Sequence, residues 1–283
     1  MDEKIAFVAD MHLEPMEAGR SLSQGINDLP PRRAAQLEQA LQQIYDLQPV
    51  AVLLGGDNAN RVLTRPDHLR FIDDFLTRFP QPRYAIPGNH DVGSTVGWPR
   101  HDREEMARCC ATFREHFGPD RWVLEAAGFR VIAINSQITA SGLPDDAGQR
   151  SWLRAQLAEP SSLLRVLFMH TPPYLRNDDD NFDDGSEMMC LKPPARAPVL
   201  ALLEENPPDL LITAHVHRFW TRRGPPWDWL ALPSTAFPHS EMEAVPSHNT
   251  PRGEDCVGWV SLSRDGAGWA AALHRLDDQG DRT

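Results

Sequence analysis

Aspartate, asparagine and histidine recur in this chain in short groups: Asp10-Met11-His12, Gly56-Asp57, Gly88-Asn89-His90-Asp91, the single His170, and His215-Val216-His217. Carboxylate oxygen, amide oxygen and imidazole nitrogen together make a donor set that suits manganese, iron, zinc or cobalt, and sequence alone does not choose among them. Each group by itself is ordinary. An Asp-x-His arises by chance, a Gly-Asp is more often a turn, and a lone histidine after a strand is more often structural. All five in order, each behind an apolar run, point instead to a metal centre. Alternate residues of an extended segment face the same side, so an extended backbone is expected at Asp10/His12 and at His215/His217.

Donors so far apart in sequence need elements that bring them together. Residues 4–9, 50–54, 84–86, 163–169 and 209–213 are short apolar runs that read as buried strands, and each ends at one of the five groups. Residues 32–47, 67–79, 103–117, 149–157 and 197–205 carry the helical period; in the first, Leu37, Leu41 and Ile44 share a face behind Pro30 and Pro31. Residues 122–135 read as a hairpin turning near Gly128, and Asp265-Gly266 as the turn of a second hairpin between 258–262 and 269–273. Strands alternate with helices, and there is neither an internal repeat nor a long linker. The expectation is an α/β fold in one domain, residues 1–283, with two packed sheets and helices outside. Two loops follow strand ends, where such sheets bind ligands. They are 14–31 and 174–194, the second carrying Asp178, Asp179, Asp180, Asp183 and Asp184. The acidic loop is either a lid over the site or a solvated surface segment.

The 283 residues carry 28 Lys and Arg against 40 Asp and Glu, a formal charge of −12. An acidic surface repels nucleic-acid phosphates, and the chain has no Lys/Arg run, so a nucleic-acid partner is not expected. Cys109, Cys110, Cys190 and Cys256 include no Cys-x-x-Cys pair and read as free thiols of a reducing compartment. The first apolar run is too short for a signal peptide, and no run approaches the roughly 20 residues of a membrane span, so a cytoplasmic location without membrane attachment is expected. Trp220, Trp227, Trp229 and Phe237 read as core of the second sheet, with a homo-oligomer interface as the alternative.

The five groups resemble the pattern of the calcineurin-like metallophosphoesterases: Asp-x-His, Gly-Asp, Gly-Asn-His-(Asp/Glu), His, Gly-His-x-His. The resemblance runs from Asp10 to His217. It implies a four-layer α-β-β-α sandwich of two mixed sheets, with a dinuclear centre at the C-terminal ends of the strands. Asp10, His12 and His217 would then hold one metal, Asn89, His170 and His215 the other, and Asp57 would bridge them. His90 would face the substrate as a catalytic residue and bind no metal. Two transition-metal ions would activate a hydroxide for in-line attack on phosphorus, with His90 assisting the leaving group. Ala214 stands where the family usually has Gly; one methyl should alter the geometry slightly and leave the site intact.

The resemblance also narrows the substrate. Purple acid phosphatases carry a tyrosine ligand three positions after the bridging aspartate, and here that position is Asn60. Protein phosphatases carry Asp-Arg-Gly there; this chain has Asn60-Arg61-Val62. Arg61 could contact phosphate or form a surface ion pair. Met169-His170-Thr171-Pro172-Pro173 is similar to an element of the compact bacterial branch that holds cyclic-nucleotide phosphodiesterases and glycerophosphodiesterases, many of which have a second His at Thr171. A small phosphodiester is the expected substrate. A phosphomonoesterase is the alternative, and a nuclease or a scaffold that only binds is less favoured.

Overall fold

The computed structural model describes residues 2–14, 30–60, 66–98, 101–175, 189–242 and 253–276. Among the described residues eleven strands form two mixed sheets. In the first, β1 (Ile5–Val8) lies between β2 (Ala51–Leu54), which runs parallel to it, and β10 (Gly258–Asp265), which runs antiparallel. β3 (Arg83–Ala85) and β11 (Gly268–Arg275) complete the order β11-β10-β1-β2-β3. The second sheet has the order β4-β5-β6-β7-β9-β8. Its parallel centre is β5 (Phe129–Ile134), β6 (Leu164–Met169), β7 (Leu210–Thr213) and β9 (Asp228–Ala231). Antiparallel β4 (Trp122–Ala126) and β8 (Trp220–Arg222) close its edges.

The two-residue period of the strands explains the layers. Ile5 and Phe7 of β1 turn to one core, while Ala6 and Val8 turn to another. In β6, Val166 and Phe168 meet Ile5 and Phe7 between the sheets, and Leu167 and Met169 point outward. The outer face of the first sheet is covered by α1 (Pro30–Leu47), α2 (Pro66–Leu76) and α4 (Arg103–Phe117) through Leu37, Leu41, Ile44, Ile72, Met106 and Phe113. The outer face of the second is covered by α5 (Pro144–Ala158) and α6 (Pro193–Glu205) through Leu153, Leu157, Val199 and Leu203. Helix, sheet, sheet, helix is the expected four-layer sandwich. The single turn α3 (Asn89–Val92) sits between β3 and α4.

Helix starts differ most from the sequence reading. α5 begins at Pro144, five residues before the expected 149, and α6 at Pro193, four before 197. In both, proline opens the first turn, where its missing N–H costs nothing; the apolar spacing that identifies a helix starts only one turn later. The end of the 174–194 segment is therefore helix. Both of its described flanks are buried: Tyr174 packs edge-on against Trp229 at 5.2 Å, and Cys190 and Leu191 are fully enclosed. Its acidic run, like most of the 14–31 loop and Arg61, lies outside the described residues. Trp227 and Trp229 are core of the second sheet as expected, with Trp220 packed against them; Phe237 is not, as described below. All four cysteines are buried thiols outside any disulfide. Among the described residues no helix is long and apolar enough to cross a membrane.

Phe7 and Phe168 meet edge to face across the inter-sheet core, 5.2 Å between centroids, both fully buried. Phe168→Ala should cost about 3–5 kcal/mol in urea unfolding, because the rigid sheets cannot collapse into the space. A cost below about 1 kcal/mol would show that the core repacks freely.

Candidate metal centre

The loops that leave β1, β2, β3, β6 and β7 converge at the C-terminal edge of both sheets. Hydrogen bonding continues past the strand ends and fixes these loops against one another. Asp10 N–H donates to Gly56 O (3.0 Å), His12 N–H to Asp57 O (2.8 Å) and Leu13 N–H to Asn58 O (2.9 Å). On the second sheet Ala214 N–H donates to His170 O (2.9 Å). The two sheets are tied together where His215 N–H donates to an Asp10 carboxylate oxygen (3.2 Å).

The backbone at the paired donors is left-handed and not extended, so alternation along a strand does not explain the Asp-x-His and His-x-His spacing. Asp10, His12, Asp57, His215 and His217 all have positive φ, between 45° and 72°. A left-handed residue other than glycine costs roughly 1–2 kcal/mol, and such residues cluster at functional sites where the surroundings hold them. Met11 and Val216, between the paired donors, are buried in apolar surroundings. Ala214 has no positive φ. Its methyl lies in the inter-sheet core, so alanine there carries no backbone strain.

Three sets of side chains bring donor atoms within 4.8 Å of one another: Asp10, His12 and His217; Asp57, His170 and His215; and His12, Asp57 and His90. Asp57 stands between the first two. Its Oδ2 is 3.4 Å from His170 Nε2 and 3.8 Å from His12 Nε2, while its Oδ1 accepts the His90 N–H at 2.8 Å. Asn89 Oδ1 is 3.3 Å from His170 Nε2. His217 Nε2 is 3.2 Å from His12 Nε2 and 3.4 Å from Asp10 Oδ1. All seven expected donors are therefore brought together.

The second ring nitrogen of several histidines is committed elsewhere. Nδ1 of His170 donates to Gly55 O (2.8 Å), that of His217 to Phe237 O (2.9 Å), and that of His90 to Asn60 O (2.6 Å). A donating Nδ1–H leaves Nε2 as the nitrogen that offers a lone pair once the ring is neutral, the arrangement found behind metal-bound histidine. Asp10 Oδ1 is buried without a hydrogen-bond partner. A buried carboxylate oxygen of this kind is costly unless a cation meets it, and the residues present thus fit a metal.

Burial would raise the Asp57 carboxyl, but the His170 and His90 rings beside it hold it well below the usual carboxylate value. Burial would lower His170; Asp57 outweighs it and lifts the imidazole to about 9. His12, lowered by burial and then by His90, stays neutral. Asp91 departs from the donor set: it accepts from the N–H groups of Gly88 (2.9 Å), Asn58 (3.2 Å) and Ala59 (2.8 Å), and from Asn58 Nδ2 (3.0 Å). It staples the turn bearing Asn89 and His90 to the loop bearing Asp57. Burial, with Asp57 near, raises it to about 6.

Two aromatic residues without any sequence signal wall the centre. Phe237 lies against His12 (4.9 Å between centroids) and His217 (4.5 Å), not in the core of the second sheet. Trp98 lies against His215 at 5.4 Å. No motif or period marks either aromatic residue, because both arrive on irregular loops.

With this geometry in view, the sequence comparison is decisive: residues 3–219 match the model of the calcineurin-like phosphoesterases. The chain belongs to that family. No curated protein matches it. In fold, this phosphoesterase is similar to the purple acid phosphatase PPD1 of yellow lupin, with TM-score 0.66 and 13% identity, covering 98% of this chain and 52% of that one. It is similar to a dimetal phosphatase from Danio rerio, TM-score 0.57 and 13% identity, covering 98% and 99%. It is also similar to GAP50, the anchor in the inner membrane complex of Plasmodium, TM-score 0.60 and 12% identity, covering 98% and 89%. At such identities the likeness shows the fold alone.

Two glycines of the phosphoesterase separate close approach from backbone strain. A Cβ on Gly88 would stand 2.1 Å from Asp57 Oδ1 and 2.4 Å from Asp57 N, at a negative φ; one on Gly93, at φ +99°, would meet nothing within 4 Å. Gly88→Ala should displace Asp57 and lose bound metal, whereas Gly93→Ala should only lower stability, by about 1–3 kcal/mol. Equal metal content in the two purified variants would contradict this.

Protons would compete with any metal that binds His170. Its imidazole is lifted to about 9, so metal uptake there at neutral pH should release a proton, and affinity should rise as pH rises toward about 9. Calorimetric titration in buffers of different ionisation enthalpy should detect that proton; a buffer-independent heat would rule it out.

Proposed function

We propose that this phosphoesterase hydrolyses phosphodiesters, with two transition-metal ions held by Asp10, His12, Asp57, Asn89, His170, His215 and His217. The observation that carries the reading is the place of Asp57, one carboxylate within 4 Å of a histidine from each donor set. Asp10, His12 and His217 would hold one ion, Asn89, His170 and His215 the other, and Asp57 both. Bound there, the two ions would supply Lewis acidity toward the phosphoryl oxygens and an acidified water as nucleophile. Asn89 gives an oxygen without charge. His90, half-buried with its ring 4.6 Å from that of His12, has its Nδ1 occupied by Asn60 O. Its Nε2 is left to face the phosphoryl group or the leaving oxygen, and it can give up a proton there when the ring is an imidazolium.

The choice of diester rests on the His170-Thr171-Pro172-Pro173 element and on charge. A chain of net charge −12 favours an ester with one negative charge over one with two. A phosphomonoesterase is the alternative, and turnover of bis(p-nitrophenyl) phosphate against p-nitrophenyl phosphate decides between them. Diester turnover alone supports the proposal; monoester turnover alone overturns it, and turnover of neither would favour a binding role.

His90→Ala should retain two metals and lose about 10²–10⁴-fold on an alkyl diester. It should lose less on a nitrophenyl ester, whose leaving group departs without a proton. Equal losses on both would assign His90 to stabilising phosphoryl charge, and loss of a metal would make it a ligand. Asp57→Ala should empty both sites by elemental analysis, and His217→Ala mainly one.

A further inference from the structure

Helix α1 presents a buried cation to the metal centre. Arg33 Nη1 donates to the His12 carbonyl at 2.7 Å, and the guanidinium carbon lies 5.7 Å from the centre of the Phe237 ring. Arg33 is only 8% exposed. Burial lowers it to about 10, which leaves it charged at neutral pH. The other face of this assembly is the centre itself. The Phe237 ring lies against the rings of His12 and His217, and its carbonyl holds His217 Nδ1. His12 is left-handed, at φ +45°. Its N–H is fixed by Asp57 O and its C=O by Arg33. The contacts of Arg33 and Phe237 thus converge on His12 and His217, the two histidines grouped with Asp10.

We propose that Arg33 is a positioning residue, acting through the His12 carbonyl and the Phe237 ring, that sets the metal affinity of the Asp10–His12–His217 half of the centre and not of the other half. This rests on the two-metal reading given above. A guanidinium suits the task because it offers a flat face to an aromatic ring and rigid N–H donors in the same plane. An ammonium keeps the charge and lacks the plane, so lysine separates charge from positioning.

Wild type, Arg33→Lys and Arg33→Met are titrated with Mn(II) by calorimetry, and the imidazole ¹⁵N resonances are recorded with Zn(II). Wild type should show two sites. Outer partners of metal ligands are typically worth about 10–100-fold in affinity. Arg33→Lys should therefore weaken one site by about 10-fold, leave the other within about twofold, and shift the His12 and His217 resonances but not those of His170 and His215. Arg33→Met should weaken the same site further. Equal weakening of both sites, or none, in Arg33→Lys would overturn the proposal. If Arg33→Met does not fold, Arg33→Lys decides by the same criterion. A wild type that binds fewer than two metals would overturn the two-metal reading and this proposal with it. Two sites in wild type with Arg33→Lys unchanged would overturn this proposal alone.

Discussion

The centre depends on one carboxylate being held where no ordinary backbone would put it. Asp57 leaves β2 through Gly55-Gly56 and turns left-handed, and its carboxylate then lies against the backbone of Gly88 with no space for a Cβ between them. From there Oδ2 faces a histidine of each sheet: His12 after β1 in the first, His170 after β6 in the second. Gly56, at φ +91°, passes so close to the His170 ring that a Cβ would fall 2.5 Å from Nδ1. The inter-sheet spacing, the two glycines and the left-handed turn are one constraint met three ways.

Such a turn is strained, and the fold offsets the strain locally. Hydrogen bonds between the loops after β1 and β2 prolong the parallel pairing past the sheet, so Asp10 and His12 take their backbone angles from partners and not from local preference. Asp91 does the same from the far side by accepting three backbone N–H groups. The apolar residues between the donors, Met11 and Val216, anchor each loop in the core. Rigid loops leave the donors little freedom to move, which is what a preorganised metal site requires.

How much of this was legible in the sequence follows from what each feature depends on. β1, β2 and β7 were legible because both faces of each are buried, so they stand out as unbroken apolar runs; β1 and β6 split their residues between two cores by simple alternation. The seven candidate donors were legible because each lies within four residues of the end of a strand, on the edge where the loops of both sheets meet. The backbone at those donors was not. Left-handed angles at five non-glycine residues come from hydrogen bonds between loops distant in sequence, and no local propensity announces them. Phe237 was misread for the same reason. Its aromatic neighbours Trp227 and Trp229 enter the second sheet's core, while it lies on an irregular segment beyond β9 that crosses to His12 and His217. Starts of helices at Pro144 and Pro193 were hidden because a proline-led first turn shows no apolar period.

The donor chemistry itself argues for an anionic substrate. Two divalent ions would bring more positive charge than Asp10 and Asp57 can neutralise, and the remaining ligands, four histidines and Asn89, are neutral when they bind metal. Had the fold placed carboxylates at those five positions, the centre would be negative and would repel a phosphoester. A surplus of positive charge is costly in a buried site unless an anion answers it, and the aromatic walls of Phe237 and Trp98 strengthen that attraction by excluding water from the imidazoles. The acidic exterior, at −12 overall, acts in the opposite sense at long range. Attraction would then be confined to the neighbourhood of the two ions, where the positive surplus would lie.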